Sequence, residues 1–463
     1  MLTGMKVFTM SLLSAAALAF ANGGVAHGLE DWREDEVHWP SFRGWYASGV
    51  SEGPALPVKF DGRTGEGLLF KEKVPGLAHS SPIVWGNKLF LTSALSEDAG
   101  ATFKPGLYGS GEASKDKSVH KWLLLCYDKR TGRLLWSRLA KTGVPRDKRH
   151  VKATYANSTP ASDGQVVVTL FGSEGLFVWD LDGKPLWKKE LGRLDVGAYD
   201  FPSYEWGAAS SPVIHEDKVI VQVDTQGEDF LLALDSRTGK ELWRTRREEL
   251  PSWSTPTVVK TEKRTQIVTN GSNFIRGYDF ETGKELWRLG GSSKITAPTP
   301  TWANGIVVVA SGRAPERPVF GVFVDEAKGD ISLRNGGEKN RFVAWSHFKR
   351  GPYMPTPLIY RKRVYVLNND GVLGAYDLRW GTASSYKRVP HRSHGFSASP
   401  VATNGRLYLS GEDGLVFEMS ATKEPKLLRI HELGEPLMAT PALSEGVMYL
   451  RGQSHLFAVG KKR

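Results

Sequence analysis

Side chains able to do chemistry are sparse in this sequence, and few are spaced for it. The single cysteine, Cys126, excludes an intramolecular disulfide. It sits in the apolar run Trp122 to Tyr127, where a buried, inert thiol is expected. His391 and His394 have a metal-compatible spacing, but no carboxylate or cysteine with ligand geometry accompanies them. Gly227-Glu228-Asp229 and Gly411-Glu412-Asp413-Gly414 look like fragments of calcium loops. Each falls where a hairpin turn is expected, and the turn reading is preferred. No phosphate-cradling loop and no nucleophile elbow is present.

One further set stands just ahead of a recurring Ser/Thr-Pro step: His79, Tyr155, Asn157, Glu205, Trp206, Trp253, Tyr353, Met354, Phe396 and Met438. Aromatics with a few polar groups are what a planar or sugar-like ligand needs, and plugging of a channel is the structural alternative. For redox catalysis, Trp206 or Trp253 would provide a stacking surface and His79 a base. Glu205 would be the one carboxylate for a cation, thin support for calcium with its roughly 6–8 oxygen ligands.

The elements that position this set are repeats. The step occurs at Ser81-Pro82, Thr159-Pro160, Ser211-Pro212, Thr255-Pro256, Thr299-Pro300, Thr356-Pro357, Ser399-Pro400 and Thr440-Pro441. Where nothing is inserted the interval is that of propeller blades, roughly 40–50 residues. Insertions at Ala94 to His120 and Asp325 to Asn340 account for longer gaps. Each unit alternates short apolar runs with turns, and several end alike, as in Leu234-Asp235-Ser236-Arg237-Thr238-Gly239-Lys240-Glu241-Leu242-Trp243. Gly239 supplies the positive φ of a tight turn, and Asp235 and Thr238 can bond the turn amides. Trp136, Trp187, Trp243, Trp287 and Trp345 then mark outermost strands and fasten each blade to its neighbour. Tyr386 and Leu427-Leu428 are expected at that place in two degenerate units. The last unit, Met438 to Val459, lacks an outer strand, which Gly67 to Glu72 can supply. The expected fold is therefore all-β, an eight-bladed β-propeller of four-stranded antiparallel blades, closed by an N-terminal strand.

Fifty glycines, 25 prolines and 15 tryptophans in 463 residues suit such a fold. Lys6 followed by the uncharged stretch Val7 to Phe20 reads as an export signal over residues 1–26, cleaved after Ala21 or Ala26. Residues 27–66 form a lead-in and 67–463 the propeller. No later stretch approaches the roughly 20 apolar residues of a membrane span, and no cysteine follows the signal to carry a lipid anchor. A periplasmic or secreted protein, monomeric and without a nucleic-acid motif, is expected. Formal net charge is +11. Lys129, Arg130, Arg133, Arg138, Lys141, Arg146, Lys148, Arg149 and Lys152 cluster in sequence, as a solvated face or as a patch for an anionic polymer.

The Asp…Thr-Gly-Lys…Trp endings resemble the pyrroloquinoline-quinone-like repeats of the quinoprotein alcohol dehydrogenase-like propellers. The opening Trp39-Pro40-Ser41-Phe42-Arg43-Gly44 is similar to the start of an exported bacterial group of unassigned function. The resemblance implies two chemistries. Quinone-dependent dehydrogenases clamp their cofactor between a tryptophan and a disulfide of adjacent cysteines, with calcium and an aspartate base. One cysteine cannot make that disulfide, and no Glu/Asn/Asp set maps onto this chain. The outer-membrane assembly lipoprotein branch is cofactor-free and holds partners on its loops. The expected function is an exported, non-enzymatic scaffold for a protein or polymer partner, with no catalytic residue, no metal and no cofactor. A quinone- and calcium-dependent oxidoreductase and a sugar- or small-ligand-binding propeller are the alternatives.

Overall fold

Each repeat places its short apolar runs side by side as antiparallel strands, because runs of four to six residues bounded by Gly and Asp turns are too short for helices. The computed structural model describes residues 37–106, 111–334, 336–390 and 395–462. The export signal with its cleavage sites, residues 27–36 of the lead-in, and the pair His391 and His394 lie outside the described residues.

Eight sheets radiate around one axis. Blades 1 to 7 have their innermost strands at Ile83–Trp85, Ala161–Ser162, Val213–His215, Thr257–Lys260, Thr301–Ala303, Leu358–Tyr360 and Val401–Thr403. Blade 8 runs Ala442–Ser444, Val447–Arg451 and His455–Val459, and its fourth strand is Leu68–Lys73 from the other end of the chain. That strand pairs antiparallel, with Lys73 opposite His455 and Phe70 opposite Ala458. Closure therefore covers the edge that an incomplete last blade would expose. The insertion 325–340 contributes Gly329–Asp330, which pairs parallel to Glu285–Gly290 and gives blade 4 a fifth strand.

The core consists of apolar faces pressed between neighbouring blades, such as Val166, Val168 and Val178 of blade 2 against Val219, Val221 and Leu232 of blade 3. In blades 1, 2, 3, 4 and 6 the turn at the end of the third strand is fixed by an aspartate. Asp235 Oδ1 accepts hydrogen bonds from Thr238 N and Thr238 Oγ1, both at 2.7 Å, and Gly239 has φ +71°. Glycine serves a second purpose there. A Cβ on Gly239 would come within 2.7 Å of the Trp187 indole of the preceding blade. Trp136 lies in the same way on Gly183, Trp243 on Gly283 and Trp345 on Gly381. The indole N–H of Trp187, Trp243 and Trp345 donates to Ser236 O, Phe280 O and Leu378 O of the next blade.

Trp287 takes a different route. It is fully buried, donates to Gln266 Oε1 in its own blade at 2.8 Å, and packs with Ala327 and Ile331 of the insertion. In blades 6 and 7 the outer-strand assignments need correcting. The register places Ser385 opposite Ala375 and Arg429 opposite Glu418, the positions matching Trp243 opposite Ala233. Tyr386 and Leu427-Leu428 fall to either side, because blade 6 has a serine at the tryptophan's place and blade 7 has a turn one residue longer.

Candidate functional site

The channel is built first by the residues that repeat. The Ser or Thr of each Ser/Thr-Pro step faces the axis, and its hydroxyl accepts the backbone N–H of the same residue one blade earlier. The relay runs Ser81 to Thr159, Ser211, Thr255, Thr299, Thr356, Ser399 and Thr440, with N···O distances of 2.9–3.4 Å. The residue must therefore carry a short hydroxyl, while the proline after it has no N–H to leave unpaired. The last link is absent: Ser81 Oγ has no partner, so the ring is open at the closure between blades 8 and 1.

One end of the channel is stopped by the lead-in. Trp39 pairs with Val84 of blade 1, Pro40 O accepts Ser162 N of blade 2, and Val37 O accepts Ser444 Oγ of blade 8. Tyr46 packs edge-on to Trp302 of blade 5 and near His215 of blade 3. Arg43 is wholly buried and donates to Ala47 O, Pro357 O and Pro400 O, which ties blades 6 and 7. Burial without a carboxylate pushes its pKa down to about 9. Phe42 projects into the cavity from this side. The Trp39 to Gly44 motif is thus a plug.

Between Phe42 and the opposite, open face lies a cavity of about 220 Å³. His79, Asn157, Trp206, Trp253, Tyr353, Met354 and Met438 line it, together with the hydroxyl ring. Three residues of the expected set do not. Tyr155 turns away against His120 and Arg149. Phe396 is fully buried against Phe417 in blade 7. Glu205 stands on the rim, accepting from Lys148 N and from Arg193, each at 3.1 Å. The structure adds His150, Lys152, Ser397 and Ile295 to the wall.

Glu412 is a carboxylate of the site that its turn sequence, Gly411-Glu412-Asp413-Gly414, does not single out. Gly411 to Gly414 does form the hairpin turn of blade 7, but Glu412 is buried and accepts from Lys152 Nζ at 2.7 Å and Ser397 Oγ at 2.5 Å. Gly106 N of the insertion in blade 1 also donates to it, at 2.6 Å. The same insertion lays Phe103 edge-on against His79, with centroids 4.7 Å apart. A hairpin of Gly197–Ala198 and Phe201–Glu205 reaches the other way, and Asp200 pairs with Arg313 of blade 5 at 3.0 Å. Two arms therefore partly cover the mouth. His79 donates from Nε2 to Lys152 O at 2.6 Å, and burial, with help from the Lys152 and Arg149 charges, pushes its pKa down to about 4. It is a neutral imidazole over the physiological range.

The basic cluster does not form one surface. Lys129 is buried at the plugged end against Glu445, Arg138 binds Gly183 O on the rim, and Lys141 pairs with Glu174. Arg149 and Lys152 are buried at the mouth, Lys152 on Glu412. A run contiguous in sequence is spread along a blade because its outer strand travels from one end of the propeller to the other.

The residues present do not fit the quinone and calcium of the dehydrogenases that the fold resembles. Cys126 is on the third strand of blade 1, buried, with its thiol pKa pushed up to about 12. Trp206 and Trp253 pack on each other, centroids 5.6 Å apart and tilted 39°, so each indole occupies a face of the other. Glu412 and Glu205 each hold cations of their own chain, and among the described residues no group of three or more His, Cys, Asp or Glu is placed to hold a metal.

A family model described as outer membrane protein assembly factor BamB matches residues 30–220, 120–289 and 227–439. The chain belongs to this family. BamB-family membership agrees with the blade repeat and with the solved structures of similar shape. BamB from Moraxella catarrhalis is 14% identical, with a TM-score of 0.53, covering 79% of this chain and 98% of that one. The quinohemoprotein alcohol dehydrogenase from Comamonas testosteroni is 13% identical, with a TM-score of 0.60, covering 94% and 83%. A europium-containing methanol dehydrogenase is 11% identical, with a TM-score of 0.56, covering 92% of each chain. At such identities the likeness is one of fold. No curated protein matches by sequence. Among the described residues of this BamB-family propeller, no helix is long and apolar enough to cross a membrane.

Proposed function

We propose that this chain is an exported, non-enzymatic propeller that holds a protein or polymer partner on the loops of its open face. The observation that carries the reading is the state of the carboxylates at the mouth. Glu412 is held by Lys152, Ser397 and the Gly106 amide, and Glu205 by Arg193 and the Lys148 amide. An acid so engaged is a poor general base and a poor cation ligand, since either role requires breaking its pair, which for Glu412 and Lys152 is buried. BamB-family membership supports the partner-holding part. The test is incubation of purified protein with pyrroloquinoline quinone and calcium, then dye reduction with alcohols and aldoses. No substrate-dependent rate is expected. Turnover that Glu412→Gln or Glu205→Gln abolishes, with melting unchanged, overturns the reading.

One observation favours a small ligand as the second reading. Ser81 Oγ, Trp206 Nε1 and His79 Nδ1 lie in the cavity wall without a hydrogen-bond partner. Each unsatisfied buried group costs about 1–3 kcal/mol, which a neutral ligand with one donor and one acceptor would offset. The volume, about 220 Å³, is below the roughly 300–1,000 Å³ of typical small-molecule sites. Tryptophan fluorescence that saturates with added monosaccharide and no longer responds in Trp206→Phe would establish it.

A further inference from the structure

The third-strand turns of blades 1, 3 and 4 share one chemistry. Asp128, Asp235 and Asp279 each accept from the hydroxyl of a threonine three residues on, at 2.7–2.9 Å. Blade 6 departs from it. Asp377 still accepts from Arg379 N and Trp380 N, both at 2.9 Å, but Trp380 stands where blades 1, 3 and 4 have threonine. The exchange forfeits the hydroxyl bond. It also leaves an indole 69% exposed, the most exposed large apolar side chain among the described residues, so it contributes nothing to the core. A large indole set out in water at a turn where threonine serves in three blades has no structural return, which marks a functional position.

What surrounds Trp380 is cationic. The adjoining turn of blade 6 reads Arg361-Lys362-Arg363, and Leu378 N donates to Lys362 O at 3.1 Å, which brings the two turns together. Arg361 and Lys362 are exposed, and Arg379 lies over the Trp380 ring at 5.2 Å. Of the acids nearby, Asp377 serves its own turn, while Glu52 accepts from the Tyr360 hydroxyl and the Asn404 amide and pairs with Arg361 at 3.7 Å, which leaves Lys362 and Arg379 without an acid partner among the described residues. A protruding indole with Arg379 on its ring thus shares a blade tip with a second basic turn, Arg361-Lys362-Arg363.

We propose that this corner of blade 6 docks on a membrane surface rich in anionic lipid. Indoles settle at the headgroup level because one edge is polar and the body apolar, and clustered Lys and Arg are drawn to the negative leaflet. A flat polyanion would use the cations and leave the indole in water, so the combination favours the lipid surface. The corner lies on the plugged face, opposite the mouth, and the proposal does not depend on the scaffold reading.

The test is sedimentation of the full chain with vesicles of phosphatidylcholine, with and without 30 mol% (about one lipid in three) phosphatidylglycerol. Binding is expected to the anionic vesicles and to fall as salt is raised. Trp380→Thr gives blade 6 the turn of blades 1, 3 and 4, so it should fold with equal or higher melting temperature, and should weaken partitioning about tenfold. Arg361→Gln with Lys362→Gln should weaken it by about tenfold or more. Three results overturn the proposal: no partitioning at low salt, partitioning that Trp380→Thr leaves unchanged, or binding to soluble polyphosphate in preference to the vesicles.

Discussion

Trp243 lies so close on Gly283 of the next blade that a Cβ there would come 2.4 Å from the indole. Gly283 also has φ +69°, so two separate requirements converge on one glycine. Gly283→Ala and Trp243→Ala should each lower stability, the latter by about 2–4 kcal/mol for a half-buried indole. Because both break the same contact, the double variant should lose less than the sum. Chemical denaturation of the four proteins checks this, and full additivity would separate the glycine from the fastener.

Two truncations should behave differently. Removal of residues 1–66 takes away the plug but keeps Leu68–Lys73, and should lower the melting temperature while leaving a monomer. Removal through Lys73 also strips the fourth strand from His455–Val459 and exposes an unpaired edge. Light scattering during concentration should show association of the shorter chain alone. A soluble chain beginning after Lys73, as stable as the longer one, would contradict the closure.

How much of this the sequence carried depends on the range of the interactions. The eight Ser/Thr-Pro steps recur once per blade, and the turn aspartates and the closing strand fall at matching places within a unit, so they are legible one blade at a time. The purpose of the hydroxyl ring was not, since each bond links residues such as Thr299 and Thr356 that only blade geometry brings together. The mouth is less legible still. Lys152 and Glu412 are 260 residues apart, and Arg43 ties carbonyls more than 300 residues away. Tyr386 and Leu427-Leu428 differ from the observed register for a smaller reason: without a tryptophan to mark the place, a serine in blade 6 and one extra turn residue in blade 7 carry no signal.

His79 gives a pH dependence with a defined sign. Its folded pKa, about 4, lies below the unfolded value near 6.5, so between these the unfolded chain binds more protons. Stability should therefore fall as pH drops from about 6.5 to about 4, by roughly 1–3 kcal/mol from this residue, and its contribution should level off below. His79→Gln retains a donor for Lys152 O and removes the titration. The difference in unfolding free energy between the two proteins, followed across that window, should track this curve; a constant difference would mean that His79 is not held neutral by burial.

The central claim, a partner held on the open face, is tested most directly by photo-crosslinking in the native envelope. A crosslinking amino acid placed at Tyr199 or Phe201, exposed on the hairpin over the mouth, should give a discrete protein or polymer adduct. The same group at Arg237, exposed in a turn on the plugged face, should give none. Adducts confined to Arg237, or none at the mouth positions in a folded protein, would contradict the account.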